Sequence, residues 1–303
     1  MKTIGITGIK GFIGSHLANE LISRGYRVIG FDNLSHPSTN EVSKMVNAFY
    51  GDVRNVSDCE RLAKNCDVIV HLAAEISVDK SIEDPELSID VNIGGTKNIL
   101  EVATTFDNKV IIAGSSEEYG TAQTEIQDES HPLDGQSPYA ATKIAADRLG
   151  YAYYITYGID VIIVRAFNVC GEGQGSDSYG GVIAIFADKI NKDKQITING
   201  TGEQTRDYTH VSDVVSAYIK LIEDSIPGEV YNVATGKDWS VKTIADMLYD
   251  ISKKEKNIYY GPDRAGEVDK LKGDAAKLRK LGWYPKIEFK EALERIWRHH
   301  ISL

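Results

Sequence analysis

Tyr139 and Lys143 stand four residues apart in Ser137-Pro138-Tyr139-Ala140-Ala141-Thr142-Lys143. On a helix, residues at i and i+4 share a face. An ammonium beside a phenol favours the phenolate and draws a pKa near ~10 toward working pH. Such a phenolate can take a proton from a sugar hydroxyl while hydride leaves the same carbon for a nicotinamide. The spacing alone also occurs on solvated helix faces, so its meaning depends on a cofactor site elsewhere in the chain.

That site is suggested by Gly8-Ile9-Lys10-Gly11-Phe12-Ile13-Gly14, which lies between an apolar run and a helical pattern. There glycines let backbone amides approach a pyrophosphate at a helix N-terminus. Phe12 and Ile13 share the loop and belong to the same expected cofactor site. The next apolar run ends in Asp32, 24 residues after Gly8, where an acid hydrogen-bonds a ribose 2′-hydroxyl. An acid at that place disfavours a 2′-phosphate, which selects NAD over NADP. Asn33 follows it, Asp52 and Val53 follow a third apolar run and can meet an adenine, and Leu72-Ala73-Ala74 offers small residues for close backbone approach. The plainer alternative is tight turns, a solvated loop acid and ordinary packing.

The elements that must position these groups alternate. Strands are expected at Lys2–Thr7, Arg27–Asp32, Asp67–Leu72, Lys109–Ser115 and Asp160–Phe167. Helices are expected at Phe12–Arg24, Pro85–Thr104 and Tyr139–Tyr157. Such alternation implies right-handed crossovers and a parallel sheet. Beyond about residue 168 glycine-rich and polar stretches interrupt shorter helices, which reads as a smaller lobe over the sheet's carboxyl edge.

The chain has 303 residues, enough to bury a sizeable core. With 34 Lys+Arg against 44 Asp+Glu the net charge is −10, which argues against nucleic acid or an anionic membrane as the main partner. Three cysteines, Cys59, Cys66 and Cys170, form neither a disulfide framework nor a zinc spacing, so no metal is expected and a reducing cytoplasm is the plain reading. Cys170 reads as a small core residue. No run approaches the ~18 apolar residues of a membrane span, and no signal peptide is visible.

Over essentially its whole length the chain resembles the extended short-chain dehydrogenase/reductases, in the nucleotide-sugar epimerase/dehydratase family. The resemblance rests on GITGIKGFIGSHL, HLAAEISVDKSI, VNIGGTKNIL, AGSSEEYG, SPYAATK, RAFNVCGEGQ, GTGEQTRDYTHVSDV and YNVATG. It implies an α/β fold: a Rossmann-type doubly wound parallel sheet over residues 1–167, binding NAD. A smaller C-terminal α/β lobe over 168–303 would bind the nucleotide sugar, with the chain crossing back to the sheet. It implies Tyr139 as acid/base, Lys143 on the nicotinamide ribose, Ser115 on the sugar 4-hydroxyl, and Asn92 near the cofactor in the strand–helix connection. Ser116 and Asn168 would contact the substrate, with Asn168 at the pyrophosphate. Arg206 and Arg264 would grip the diphosphate of a nucleotide-diphosphate sugar, since guanidinium forks suit phosphate oxygens. Arg264 lies in Arg-Ala-Gly-Glu, a departure from the commoner Arg-Pro-Gly-Asp. The alternative for both arginines is surface pairing with Asp207, Glu203, Asp263 or Glu267. The helices at Pro85–Thr104 and Tyr139–Tyr157 resemble the pair that makes a homodimer interface.

Members of this family oxidise the sugar at C4 and differ in the step after it. Aligned on Tyr119-Gly120, Glu117 falls where dehydratases and decarboxylases resemble one another in carrying a glutamate. A C4 ketone acidifies C5–H, and a nearby carboxylate is the base that elimination needs. That favours a dehydratase-type reaction with catalytic Ser115, Glu117, Tyr139 and Lys143. Ser116 replaces an aspartate of the deoxythymidine-sugar dehydratases. The alternatives are a 4-epimerase of the UDP-glucose or UDP-GlcNAc type, in which Glu117 only binds a hydroxyl, then a 4-keto-sugar reductase. A non-enzymatic NAD-sensing regulator is a further alternative, disfavoured by the intact Ser115, Tyr139 and Lys143. Glu118, adjacent to Glu117 in what reads as extended chain, is expected to point the other way into solvent.

Overall fold

The computed structural model describes residues 2–177, 180–264 and 267–302. Strands rich in β-branched and aromatic residues run along the chain: β1 (Thr3–Thr7), β2 (Arg27–Asp32), β3 (Asn47–Tyr50), β4 (Val68–His71), β5 (Lys109–Ala113), β6 (Val161–Ala166) and β7 (Val230–Val233). Among the described residues these seven form one sheet in the order β7-β6-β5-β4-β1-β2-β3. Every pairing within it is parallel.

Both faces of the sheet are covered, so its strands are apolar throughout rather than alternating with polar residues. Side-chain direction still alternates. Ile4, Ile6, Val68, Val70 and Ile111 join one core with the helices Phe12–Ser23 and Val211–Asp224. Ile69, Val110, Ile112, Val161 and Ile163 join the other, with Leu62, Ile99, Leu100 and Ala103 from the helices Val56–Ala63 and Gly95–Phe106. Leu21, wholly buried in the first core, is a position where Leu21→Ala costs about 2–5 kcal/mol.

The strand order reverses at β1, with β2 on one side and β4 on the other. A ligand crevice opens at such a reversal, outside the carboxyl ends of the strands. The Pro138–Tyr157 helix brings Tyr139 there. Ser137 caps it, its hydroxyl accepting the Ala140 N–H at 3.1 Å, and Pro138 fills the first turn, where no N–H is needed.

The helix expected at Pro85–Thr104 is a continuous run of three pieces, Pro85–Ser88, a π-helical turn Ile89–Gly94, and Gly95–Phe106. Gly95 lets it pass close to the loop after β3, for a Cβ there would lie 2.6 Å from Val53 Cγ2.

The second half returns to the sheet at Val211–Asp224 and β7. Three further helices, Val182–Asn191, Val241–Ser252 and Phe289–Ser302, enclose a separate core that includes Phe186, Ile190, Leu248, Leu293 and Trp297. Short strands Ile196–Asn199 and Ile258–Gly261 pair in parallel in this lobe. Cys170 is a buried core residue, as expected. Among the described residues no helix is long and apolar enough to cross a membrane.

Candidate active site

β1 runs out at Thr7 and the chain turns at once. The Gly8 and Ile9 N–H groups both donate to Phe31 O, at 2.9 and 3.3 Å. Gly8 has φ +68, a conformation costly for other residues, and a Cβ on it would lie 2.9 Å from the Ala73 nitrogen. A Cβ on Gly14 would lie 2.1 Å from Gly8 O. The loop, the first helical turn and the Leu72-Ala73-Ala74 segment therefore meet backbone to backbone. Gly8, Gly11, Phe12, Ile13, Leu72, Ala73 and Ala74 all line a cavity of about 780 Å³ that runs from the sheet edge into the C-terminal lobe.

Asp32 lies at the end of β2 on the wall of that cavity. Its Oδ2 accepts the Lys10 N–H at 2.9 Å and its Oδ1 the Leu34 N–H at 2.8 Å. It therefore ties the glycine loop to the end of β2 besides presenting an acid. Asn33 donates to Asp52 Oδ2 at 3.1 Å, and the two continue the same wall with Val53. Arg54 donates to the Asp52 carboxylate through Nε and Nη2 and holds its pKa down to about 2.

Tyr139 and Lys143 face the cavity from one side of their helix, both more than nine-tenths buried. The Tyr139 N–H donates to Ser81 Oγ at 3.0 Å, and Lys143 Nζ donates to Ala113 O at 2.8 Å. Burial raises the Tyr139 phenol above its usual value, and a hydrogen bond with the Ser115 side chain opposes the rise. The expected lowering is thus not what this structure shows. The Lys143 ammonium is spent on the Ala113 carbonyl, and the neighbouring carboxylates of Glu117, Glu118 and Glu75 add to the rise that burial causes. Burial pushes Lys143 itself down, with Glu118 opposing.

Ser115 ends the β5 segment and caps a 3₁₀ turn, Ser116–Tyr119. Its Oγ accepts the Glu117 N–H at 3.2 Å. That turn points Glu117 into the cavity with Ser115 and Ser116. The Glu117 carboxylate lies 4.0 Å from Arg206 Nε, and burial raises its pKa against the pull of that guanidinium.

Residues 6–296 match the family model described as GDP-mannose 4,6 dehydratase. The chain belongs to that family. Its relatives are the NAD-dependent extended short-chain dehydrogenase/reductases that epimerise or dehydrate nucleotide sugars, so this protein is an enzyme. It is 37% identical over 295 residues to a putative UDP-glucose 4-epimerase of Methanocaldococcus jannaschii, covering 96% of each chain. The fold superposes with a TM-score of 0.94 on the Thermus thermophilus UDP-glucose 4-epimerase complexed with NAD, at 31% identity and 98% coverage of both chains. It superposes equally, 0.94, on the dTDP-glucose 4,6-dehydratase DesIV of Streptomyces venezuelae with NAD and TYD bound, at 28% identity, covering 99% of this chain and 97% of that one.

The enzyme brings the remaining expected residues to the same cavity in unequal ways. Asn168 lines it, and its Oδ1 is buried with no hydrogen-bond partner in the structure. Arg206 lines it too, but its Nη2 donates to Glu267 Oε1 at 2.6 Å and its Nη1 to Thr205 O at 3.0 Å. The acidic partner considered from sequence is therefore real, although Arg206 is buried and the partly exposed Glu267 meets it on the cavity wall. Arg264 reaches across to the first half, donating through Nε and Nη2 to Asp79 Oδ1 at 2.9 and 2.7 Å. Asp79 was not among its expected partners. The two arginines lie 58 positions apart and their acids come from different segments, so no local pattern announces either pair.

Two further expectations need correction. Asn92 lies in the π-helical turn, not in a strand–helix connection, and it does not line the cavity. Its amide is spent inside the protein. Nδ2 donates to Glu75 O and Thr142 Oγ1, both at 2.9 Å, and Oδ1 accepts the Glu75 N–H at 2.8 Å. It therefore clamps the segment after β4 to the helix of Tyr139 and Lys143. Glu118 is wholly buried, not solvated. The backbone there is a 3₁₀ turn, so the two-residue alternation of extended chain does not apply.

Sequence reasoning also missed Thr7 and His71. Thr7 Oγ1 accepts the Leu72 and Ala73 N–H groups at 3.2 and 3.1 Å and pairs with His71 Nδ1 at 2.8 Å. The far nitrogen of His71 meets Thr96 Oγ1 at 3.1 Å, and burial pushes that imidazole down to about 3, so it is neutral. Nothing local marks these residues, because each acts through a partner distant in sequence.

Proposed function

We propose that the enzyme binds NAD and a nucleotide-diphosphate sugar side by side in this one cavity, and converts the sugar through a transient 4-keto intermediate with Glu117 as the base at C5. A dinucleotide fits the residues present. The cradle at Gly8 and Gly14 has no room for a Cβ, and Asp32 stands at the end of the neighbouring strand. Gly8, Gly11, Phe12, Ile13, Gly14, Asp32, Asn33, Asp52, Val53, Leu72, Ala73 and Ala74 would hold it, with Tyr139 and Lys143 at the reacting end. When bound, NAD would take up the hydride from the sugar carbinol at C4 and supply it again to C6 after the C6 hydroxyl has left.

The chain's own residues do the rest. Ser115 and Tyr139 receive the sugar 4-hydroxyl, and Tyr139, once it has given up its own phenolic proton, takes the proton of that hydroxyl as the phenolate. Lys143 faces the same place and favours the phenolate once the phenol gives up its proton. Asn168, through its Nδ2 donor, and Arg206 and Arg264, with forked donors, take up the diphosphate. Glu117 then faces C5. Its raised pKa suits a group that removes the C5 proton and can return it to a departing C6 hydroxyl, a task for which Ser116 has no acid.

The observation that carries this reading is the position of the Glu117 carboxyl on the cavity wall that also holds Ser115, Tyr139 and Lys143. A second reading, 4-epimerisation, is favoured by the 37% identity to a putative UDP-glucose 4-epimerase. In it Glu117 only binds a sugar hydroxyl. The test is a product assay on uridine, guanosine, deoxythymidine and cytidine diphosphate hexoses, read by mass and proton NMR. Loss of one water supports the dehydratase reading. An isobaric product inverted at C4 replaces it with the epimerase reading.

A homodimer belongs to the same proposal. Ile89 in the π-helical run and Tyr151, Ile155 and Tyr157 on the Pro138–Tyr157 helix are exposed apolar side chains on the two expected interface helices. A monomer in sedimentation rejects the dimer.

A further inference from the structure

Glu118 is a buried carboxyl beside the reacting groups that the proposed mechanism does not use. It sits directly beneath Ser115. Its Oε1 accepts the Ser115 N–H at 2.6 Å while the Ser115 hydroxyl caps the same turn, a reciprocal capping box. Its Oε2 lies 3.2 Å from Arg165 Nε and has no hydrogen-bond partner. The seat is built for it, since a Cβ on Gly114 would lie 2.7 Å from Oε1.

Behind it stands a buried set of charges. Arg165 donates through Nε and Nη2 to Asp147 Oδ2 at 3.0 and 2.7 Å, and through Nη1 to the Tyr119 hydroxyl at 3.1 Å. Asp147 also pairs with Arg148. Asp147 lies four residues after Lys143 on the same helix. The groups facing Glu118 are thus Arg165 from β6, Asp147 and Lys143 from the Pro138–Tyr157 helix, and the Ser115 amide of its own turn. The groups facing Lys143 are Glu118 and, from β4, the neutral His71.

We propose that Glu118 is a positioning residue of the catalytic group, fixing the turn that carries Ser115 and Glu117 and standing as the counter-charge to the Lys143 ammonium. Arg165 spends its hydrogen bonds on Asp147 and Tyr119 and gives none to Glu118, so a negative charge on Glu118 is only partly answered there. Lys143 Nζ donates to Ala113 O at 2.8 Å, two residues before the Ser115 amide that Glu118 accepts, so both side chains hold the same strand end. Burial works against ionisation of both Glu118 and Lys143, and each favours the ionised form of the other. As pH rises Glu118 gives up its proton and thereby keeps Lys143 protonated to higher pH.

This rests on the proposed role of Lys143, but its test needs no turnover. The variant is Glu118→Gln, whose amide oxygen can still accept the Ser115 N–H while the charge is gone. Lysine side chains are labelled with carbon-13 at Cε in the full chain with NAD added, and the Lys143 resonance is assigned by its loss in Lys143→Met. The expected result is a Lys143 titration shifted to lower pH by about 1 unit in Glu118→Gln, with an unchanged melting temperature. A titration that stays in place, or moves up, overturns the proposal. Should Glu118→Gln fail to fold, the wild-type resonance decides. Two titration steps, one following Glu118, support the coupling, and a single step overturns it.

Discussion

Arg206 and Glu267, 61 positions apart, form a hydrogen-bonded ion pair of 2.6 Å within the candidate active site. The pair holds a buried guanidinium in place before any diphosphate arrives, because a lone buried charge would be costly. Under the proposed function, the diphosphate must share or displace a carboxylate to be bound there. Charge-assisted hydrogen bonds are worth about 1.5–3 kcal/mol each, or roughly 10- to 150-fold in binding. Arg206→Met is therefore expected to raise KM by about that factor and to change kcat far less. Steady-state kinetics on the active sugar nucleotide checks this, and an unchanged KM would put the diphosphate elsewhere.

Tyr139→Phe keeps the ring in its buried place and removes the proton acceptor. Turnover should fall by about 10²–10⁴-fold. NAD binding, measured by calorimetry, should survive. Normal turnover in the variant removes Tyr139 from the mechanism.

Glu117→Gln separates the two halves of the proposed reaction. Oxidation at C4 should persist, seen as reduced-nicotinamide absorbance on mixing with substrate, while solvent deuterium no longer enters at C5. Deuterium incorporation at the wild-type rate would end the role of Glu117 as base.

Asp32→Ala should relax the preference for NAD over NADP, because the acid that repels a 2′-phosphate is gone. The ratio of the two kcat/KM values reports it. An unaltered ratio would mean that the choice is made by another residue. Since Asp32 also accepts the Lys10 and Leu34 amides, the variant should melt at a lower temperature.

Asp52 gives a pH dependence with a definite sign. Its carboxyl is held down to about 2 by Arg54, below the ~3.9 of an unfolded aspartate. The stability it contributes is fully present above about pH 4 and is lost as pH falls through about 2. Arg54→Met should therefore melt below wild type at neutral pH, by a small margin for a partly exposed pair, and the gap should close on acidification. A gap that persists at low pH would assign the difference to packing of the arginine.

The glycine loop, Asp32 and the Tyr139–Lys143 pair are legible in the sequence because they are contiguous or at helical spacing. The strands at Arg27–Asp32 and Val161–Ala166 likewise announce themselves by β-branched runs. β7 and the Val211–Asp224 helix belong to the same sheet and core but arrive after a long excursion through the other lobe, so periodicity cannot say where they pack. Glu118 is misplaced by a reading of extended chain, because a 3₁₀ turn forms there instead. Asn92, Thr7 and His71 escape a sequence reading because a buried hydrogen bond between distant residues leaves no trace in either neighbourhood. The same holds for Arg264 with Asp79, 185 positions apart.

The placement of β7 at the end of the sheet bears on how the protein is made. Until Val230–Val233 has left the ribosome, β6 has no neighbour on one side, and the backbone groups that β7 will engage are open to any passing strand. Phe167, whose N–H donates to Val233 O at 2.9 Å, likewise waits for it. A nascent chain cut or stalled shortly after residue 167 would therefore hold most of the expected cofactor residues on a sheet with one raw border. Such a fragment should aggregate rather than persist as a small independent dinucleotide binder.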